Sequence, residues 1–135
     1  QDNISFSKKS VLRGLHFQKE KFSQAKLIQV LKGEVLDVVV DIRKESATFG
    51  QYIKMKISEE NRKSIFIPKG MAHGFLTLSD QAVFTYKCDL YYNAASEAGI
   101  IYDDKDLNID WEYPTEEIIL SEKDKQLPTL KELYP

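Results

Sequence analysis

The chain has 135 residues, which is enough for one domain around one hydrophobic core and too few for two. Nineteen basic and twenty-one acidic residues give a formal net charge of −2, and no block of Lys or Arg stands out, so a nucleic-acid-binding protein is not expected. The single cysteine, Cys88, excludes an intrachain disulfide and a cysteine metal cluster, and it fits a reducing, cytoplasmic compartment. The apolar runs are far too short to span a membrane.

The chain opens with "QDNISFSKKSVL" and begins with Gln1 rather than Met. No signal peptide is visible, and these first residues already have the composition of a domain interior. We therefore expect residues 1–135 to form a single domain, and a further N-terminal segment to precede it in the natural protein.

The next stretch, "VLRGLHFQ", places Arg13 and His16 three residues apart within an apolar run. Burying such polar groups is unfavourable unless they find partners. The stretch therefore predicts either internal partners for both side chains or a ligand that they bind.

Six short runs further along are rich in β-branched residues or alternate between apolar and polar residues. Gly, Pro, Ser and Asp punctuate them, and no long helical pattern intervenes, so the chain is expected to form an all-β sandwich or barrel. The predicted strands are Ala25–Leu31, Glu34–Ile42, Gln51–Ile57, Ser64–Ile67, Gly74–Leu78 and Ala82–Lys87.

Two of these runs differ in pattern. "QYIKMKI" alternates, with Ile53, Met55 and Ile57 on one face, whereas "VLDVVVDI" is apolar on both faces and predicts a central strand. After Tyr92 the pattern weakens, and the C-terminal part is expected to be irregular with one short helix near its end.

Only two histidines are present, His16 and His73, and both lie in apolar surroundings. A structural zinc or iron site needs three or four converging ligands, and no His-x-His pair is present. A protein-bound metal is therefore not expected. Two histidines in one small β-protein, one of them near Arg13, favour a shared polar cavity that could hold a small ligand.

Acid–base chemistry without a metal needs a base, a group that orients it, a cation for a developing oxyanion, and an acid on the opposite face. His16 suits the role of base. Lys26 and Tyr86 could supply the cation and the acid, although a surface lysine and a structural tyrosine fit their strands equally well. Asp124 follows Ser121 at the spacing of a helix-capping pattern, so the residues alone favour a structural carboxylate there.

The ordered set of segments "QDNISFS", "VLRGLHFQ", "QAKLIQVLKGEVLDVVVDIRKESATFG", "NRKSIFIPKGMAHGF", "FTYKCDLYY" and "ILSEKD" closely resembles the dTDP-4-dehydrorhamnose 3,5-epimerase family over essentially the whole chain. The resemblance implies a cupin-type jelly roll, a homodimer, and activity without a metal or other cofactor. It also implies a nucleotide-sugar substrate, dTDP-4-dehydro-6-deoxy-D-glucose, inverted at C3 and C5 to give dTDP-4-dehydro-L-rhamnose.

The same resemblance implies roles for individual residues. His16 would be the base and Asp124 its partner, Lys26 would lie near the enolate oxygen, and Tyr86 would return a proton from the opposite face. The side chains that would line the sugar and nucleotide pocket are Gln1, Asn3, Arg13, His73 and Tyr92.

The sequence departs from the family in two places, of which the first bears on the dimer and on diphosphate binding and the second on the substrate. The family's N-terminal segment, with strands that cross to the partner subunit and a further phosphate-binding arginine, is absent from this sequence. Ala94, Ala98 and Tyr102 stand where a proline, an arginine and a tryptophan are expected in the family. Three alternatives therefore remain open: a mono-epimerase, a ketoisomerase, and a sugar-binding protein without catalytic activity.

Overall fold

The computed structural model describes all residues, 1–135, and consists mainly of β-strands. The strands are β1 (Asp2–Lys8), β2 (Leu12–Gln18), β3 (Lys26–Lys32), β4 (Glu34–Asp41), β5 (Tyr52–Ser58), β6 (Ser64–Ile67), β7 (Met71–Thr77), β8 (Gln81–Cys88) and β9 (Glu97–Gly99). Two short helices, α1 (Glu122–Lys125) and α2 (Leu130–Leu133), lie near the C-terminus, and short 3-10 turns cover Glu20–Phe22, Ala94–Ser96 and Thr115–Glu117. No helix is long and apolar enough to cross a membrane.

The strands form two antiparallel sheets, one with the order β1-β8-β3-β6 and one with the order β5-β4-β7-β2-β9. The sheets pack face to face around apolar side chains from both. Ten buried residues make up this inner core: Ile28, Val30, Val35, Val39, Ile57, Ile65, Ile67, Phe75, Ala82 and Phe84. The predicted all-β architecture is thus confirmed, in the form of a sandwich of two sheets.

The central strand β4 shows why its sequence is apolar on both faces. Val35 and Val39 point into the inner core, whereas Leu36, Val38 and Val40 point to the opposite side of the sheet. There they pack under the irregular C-terminal segment, which contributes Ile100, Leu107, Trp111 and Leu130 to a second core. The C-terminal segment therefore forms a third layer, and β4 is buried from both sides as its pattern predicted.

The remaining strand predictions are correct in position for β3 to β6 and β8, within a residue or two. β7 begins earlier than predicted, at Met71, and β1, β2 and β9 were not among the predicted strands. On β5, Ile57 is fully buried, but Ile53 is 61% exposed because β5 is an edge strand.

Candidate active site

The two strands that carry the histidines approach each other closely at a pair of glycines. Gly14 on β2 has φ +118°, and a Cβ built on it would lie 2.7 Å from both the Cα of Gly74 and the carbonyl oxygen of His73. Only glycine accommodates both the backbone angle and the contact. The close approach brings His16 directly opposite His73 in the β2–β7 register.

An irregularity in β2 explains how the side chains of Arg13 and His16 can line the same cavity. Side chains three residues apart on a regular strand point to opposite faces. The β2–β7 register shifts between Arg13 and His16, and such a shift resets the alternation. Both side chains therefore line the same cavity, while Leu12 and Leu15 are fully buried in the core under the C-terminal segment.

His16 is held by Asp124, whose Oδ1 lies 2.6 Å from the Nε2 of the histidine. The other carboxylate oxygen, Oδ2, accepts a hydrogen bond from the backbone N–H of Gly14 at 3.1 Å. Burial alone would raise the pKa of Asp124, but the bonds from His16 and Gly14 outweigh burial and leave that pKa below its usual value. The carboxylate is thus held in its charged form, and the Nδ1 of His16 is the ring nitrogen left for a substrate.

Asp124 also lies in the first turn of α1, where Ser121 is the N-cap and accepts a hydrogen bond from the Asp124 backbone N–H at 3.1 Å. The capping pattern in the sequence is therefore real. It uses the backbone of Asp124 and leaves the side chain free to bind His16.

The site is a cavity between the two sheets with two lobes that share His16, Lys26 and Tyr86. The amide lobe, of about 280 Å³, is lined by polar side chains on its outer part: Gln1, Asn3, Gln18, Gln24, Tyr92 and Glu97. The arginine lobe, of about 230 Å³, adds Arg13 and His73 above the rings of Phe75 and Phe84. All nine site residues predicted from the sequence thus come together, eight lining the cavity and Asp124 behind His16.

Lys26 and Tyr86 lie next to each other on the wall opposite His16. The Nζ of Lys26 is 5.8 Å from the centroid of the Tyr86 ring, and the two residues come from adjacent strands of the four-stranded sheet. Burial lowers the pKa of Lys26, opposed by the charges of Cys88, Asp37 and Glu97. Burial likewise raises the pKa of Tyr86, so the phenol keeps its proton at neutral pH. Lys26 is therefore not the surface cation that its strand alone would have suggested.

Gln1, Asn3 and Tyr92 form a connected rim on the amide lobe. The side-chain amide of Gln1 donates to the Oδ1 of Asn3 at 2.9 Å, and its carbonyl accepts from the backbone N–H of Tyr92 at 2.9 Å. Asn3 in turn donates to the backbone carbonyl of Tyr86 at 3.3 Å. The start of the chain is therefore part of the cavity wall.

His73 lies in the arginine lobe with its Nε2 2.7 Å from the Oδ2 of Asp37. Its ring stacks on Phe84 at 6.0 Å between centroids. Each of the two strands that meet at Gly14 and Gly74 thus carries a histidine bound to a carboxylate from another element.

Three charged residues at the site had no part in the sequence predictions. Glu97 lines the amide lobe, where it accepts hydrogen bonds from the hydroxyl of Tyr92, at 2.6 Å, and from the ammonium of Lys123. Burial would raise the pKa of Glu97, but these bonds outweigh it and leave the pKa lowered. Glu97 and Lys123 lie in polar, irregular sequence with no periodicity to single them out, and the third, Asp37, was hidden in an apolar run.

The geometry defines the class of the protein as a β-sandwich with an acid–base site. A histidine oriented by a carboxylate faces, across one cavity, a protonated tyrosine and a half-buried lysine from the other sheet. No group of three or more His, Cys, Asp or Glu side chains is arranged to hold a metal ion. Such an arrangement can remove a proton on one side of a bound molecule and deliver one on the other.

Comparison with known proteins then gives the family. The family model described as dTDP-4-dehydrorhamnose 3,5-epimerase matches residues 1–132, so the chain belongs to this family of isomerases. A relative of that name from Methanothermobacter thermautotrophicus is 49% identical over 133 residues, which cover 98% of this chain and 71% of the relative.

Two solved structures agree with this membership. The dTDP-4-dehydrorhamnose 3,5-epimerase from Elizabethkingia anophelis superimposes with a TM-score of 0.96 at 52% identity, covering 98% of this chain and 72% of that one. A dTDP-6-deoxy-D-glucose-3,5-epimerase from Legionella pneumophila, in complex with dTDP-4-keto-L-rhamnose, gives a TM-score of 0.93 at 51% identity, with coverage of 97% and 69%.

Proposed function

We propose that this protein epimerises dTDP-4-dehydro-6-deoxy-D-glucose at C3 and C5 to give dTDP-4-dehydro-L-rhamnose. Family membership supports the reaction, and one structural observation carries the proposal. His16, oriented by Asp124, faces Tyr86 and Lys26 from the opposite sheet across one shared cavity. Inversion at a carbon needs a proton acceptor and a proton donor on opposite faces of the sugar.

His16 is proposed to start the reaction as the base. Its Nδ1 takes the proton from the carbon next to the C4 ketone, and the electron pair of the broken C–H bond moves into an enolate whose charge lies largely on the C4 oxygen. Asp124 supports this step because its carboxylate stabilises the imidazolium that forms. The ammonium of Lys26 stabilises the enolate oxygen, and its low-dielectric surroundings strengthen that interaction.

Tyr86 is proposed to complete the inversion. Its phenol gives a proton to the other face of the same carbon, and the enolate electrons form the new C–H bond. The raised pKa of Tyr86 keeps the proton in place until the enolate forms. A proton returned by His16 would only regenerate the substrate. The proton on His16 leaves to solvent and the phenolate regains one before the next carbon reacts.

The remaining predicted residues are proposed to bind the nucleotide sugar. Arg13 and His73 would hold the sugar and its phosphate groups in the arginine lobe, and Arg13 offers several donors in fixed geometry. Gln1, Asn3 and Tyr92 would contact the ligand from the rim of the amide lobe. Their mutual hydrogen bonds support this role because they fix the orientation of the polar groups that face the cavity.

Deuterium exchange tests the proposal and separates it from its alternatives. The protein is incubated with dTDP-4-dehydro-6-deoxy-D-glucose in deuterated water, and C3 and C5 are followed by NMR. We expect deuterium at both carbons with inversion at both. Inversion at one carbon would indicate a mono-epimerase, migration of the ketone a ketoisomerase, and binding without exchange a sugar-binding protein.

We further propose that the protein works as a homodimer formed through the outer face of the four-stranded sheet. This face carries five large apolar side chains that no other part of the chain covers: Ile4, Phe6, Leu27, Leu31 and Phe66. Phe6 is 72% exposed and Phe66 is 67% exposed, which is unfavourable in water. A continuous apolar sheet face of this kind is typical of an interface between subunits.

Light scattering coupled to size-exclusion chromatography tests the dimer. We expect a mass near twice 15.6 kDa for the wild type. Phe6→Asp should shift the protein toward monomer, whereas Ile119→Asp, which changes an exposed apolar residue of the C-terminal segment, should leave the dimer intact. A monomeric wild type would refute this interface.

A cytoplasmic location is part of the same proposal, since a nucleotide-sugar substrate and a lone reduced cysteine fit that compartment.

A further inference from the structure

The interior strand β4 contains a carboxylate whose presence the fold does not require. Asp37 is 1% exposed, its Oδ2 pairs with the Nε2 of His73 at 2.7 Å, and its Oδ1 is buried without a hydrogen-bond partner. Asp41, four residues further along the same strand, has a full set of partners from Arg43, Ser46 and Thr48. Asp37 therefore differs from its neighbour in being an incompletely satisfied buried charge.

Stability does not account for such a group, because a buried ion pair generally contributes less to the free energy of unfolding than apolar residues of the same size. Its surroundings point to the cavity instead. Asp37 fixes the Nε2 side of the His73 ring, and Phe84 stacks on the face of that ring. The Nδ1 of His73 has no partner in the chain, and His73 lines the arginine lobe beside Lys26.

Asp37 also acts on Lys26. Burial lowers the pKa of Lys26, and the negative charge of Asp37 is among the influences that raise it. One carboxylate thus faces two of the groups that line the arginine lobe, while it lines neither lobe itself.

We propose that Asp37 is a positioning residue of the active site, which fixes His73 with Nδ1 available to the substrate and balances the positive charge of Lys26. The proposal rests on the proposed epimerase function, which gives Lys26 an enolate oxygen to stabilise. Asp37 acts through these two side chains and does not touch the sugar.

Other charged and titratable groups share the cavity with Lys26, and a test has to distinguish Asp37 from them. They are Arg13 and His16 on β2, His73 on β7, Tyr86 and Cys88 on β8, Glu97 on β9, and Tyr92 in the segment between β8 and β9. Among these groups, the negative charge of Glu97 acts on Lys26 in the same direction as Asp37. Cys88 does so only at alkaline pH, because burial raises the pKa of its thiol.

Asp37→Asn removes the charge and keeps the shape, and Asp41→Asn is the matched control on the same strand. We expect Asp37→Asn to lower kcat by on the order of 10- to 100-fold with a smaller change in KM. Because the charge of Asp37 raises the Lys26 pKa, its loss should lower that pKa. The alkaline limb of the kcat profile should then move to lower pH. Asp41→Asn should leave this limb in place.

Two NMR measurements on the ligand-free protein keep the proposal testable whether or not the enzyme accepts this sugar. The Lys26 side chain should titrate at lower pH in Asp37→Asn than in the wild type and in Asp41→Asn. The 15N chemical shifts of His73 in the wild type should show the ring proton on Nε2. This second measurement does not need the variant, so it tests the proposal even if Asp37→Asn fails to fold. An unchanged Lys26 titration, or a proton on Nδ1 alone, would overturn the proposal. Absence of any exchange by the wild type would instead refute the epimerase function.

Discussion

The carboxylate of Asp124 and the imidazole of His16, 108 positions apart in the sequence, meet at 2.6 Å at the edge of the cavity. Asp124 is 3% exposed, and the side chain of His16 is 32% exposed. Asp124 is thus enclosed by the protein, whereas the imidazole of His16 is accessible from the cavity. This difference in burial fits the proposed roles, in which the aspartate orients the ring and the histidine reacts with the substrate.

Replacing either member of the pair should separate these two roles. His16→Asn should abolish deuterium exchange at both carbons. Asp124→Asn should lower the rate by about 10²-fold or more with little change in binding of the nucleotide sugar. If the asparagine oxygen still accepts from Gly14, its amide donates to the Nε2 of His16 and moves the imidazole proton onto Nδ1. Calorimetric titration with the product checks binding, and exchange at the normal rate by His16→Asn would show that another group is the base.

Removal of the Tyr86 hydroxyl should uncouple exchange from inversion. Tyr86→Phe keeps the ring beside Phe84 and Lys26 but loses the acid. His16 can still form the enolate, so deuterium should enter the substrate while inverted product falls by about 10²- to 10⁴-fold. Parallel NMR measurement of exchange and of product separates the two steps. Full epimerisation by this variant would assign the acid to Tyr92 or to water.

Activity should not depend on a metal ion. The sequence lacks a His-x-His pair, and the Nε2 atoms of both histidines are already bound to carboxylates in the structure. We expect the exchange rate to be unchanged after exhaustive dialysis against a chelator. Loss of activity on chelation and its recovery with a divalent ion would contradict this prediction.

The Gly14–Gly74 contact should be sensitive to a single methyl group. Gly14→Ala combines a positive φ, which costs about 1–3 kcal/mol, with a steric clash against β7. Gly50→Ala is the matched control, because Gly50 also has a positive φ but its Cβ would meet only Leu130 at 3.8 Å. Chemical denaturation should show a larger loss of unfolding free energy for Gly14→Ala than for Gly50→Ala. Gly14→Ala should also exchange deuterium into the substrate more slowly. Equal losses in the two variants would mean that β2 and β7 can separate without cost.

The buried carboxylate of Asp41 should make stability depend on acid pH. Its hydrogen bond to Arg43, helped by bonds from Ser46 and Thr48, holds the pKa of Asp41 well below its usual range. A lowered pKa in the folded state stabilises the protein above about pH 4, and this contribution is lost as the pH falls toward the folded-state value. Asp41→Asn should therefore be less stable than the wild type at pH 7, by about 1–3 kcal/mol, and the difference should shrink below pH 4. Urea unfolding at several pH values measures it, and a difference independent of pH would rule out the ionised carboxylate as its source.

The fold was predictable where local pattern and final burial agree. Strands β3, β4 and β8 have apolar residues at the spacing that their burial requires, and their bounds follow from it. β2 was missed because the irregularity between Arg13 and His16 interrupts the alternation. On β5 the alternation is present, but the position of the strand at the edge of the sheet, which no local pattern encodes, leaves Ile53 exposed.

The site was predictable mainly through its resemblance to a family, because residue types alone left each role open. Lys26, Tyr86 and Asp124 each fitted a structural explanation, and the capping pattern before Asp124 is in fact present. No local pattern could show that Asp124 pairs with His16, because the two residues are 108 positions apart in the sequence.

The sequence by itself determined the all-β class, the doubly buried strand β4, the acid–base character of the candidate residues and, through its ordered motifs, the family. The tertiary structure alone decided that Lys26 lies half-buried in the cavity, that Asp37 pairs with His73, and that Glu97 and Lys123 lie at the site. The physical reason is the same in each case. Alternation and capping are set by neighbours a few residues away, whereas the charge state and orientation of a buried polar group depend on strands brought together from distant parts of the chain.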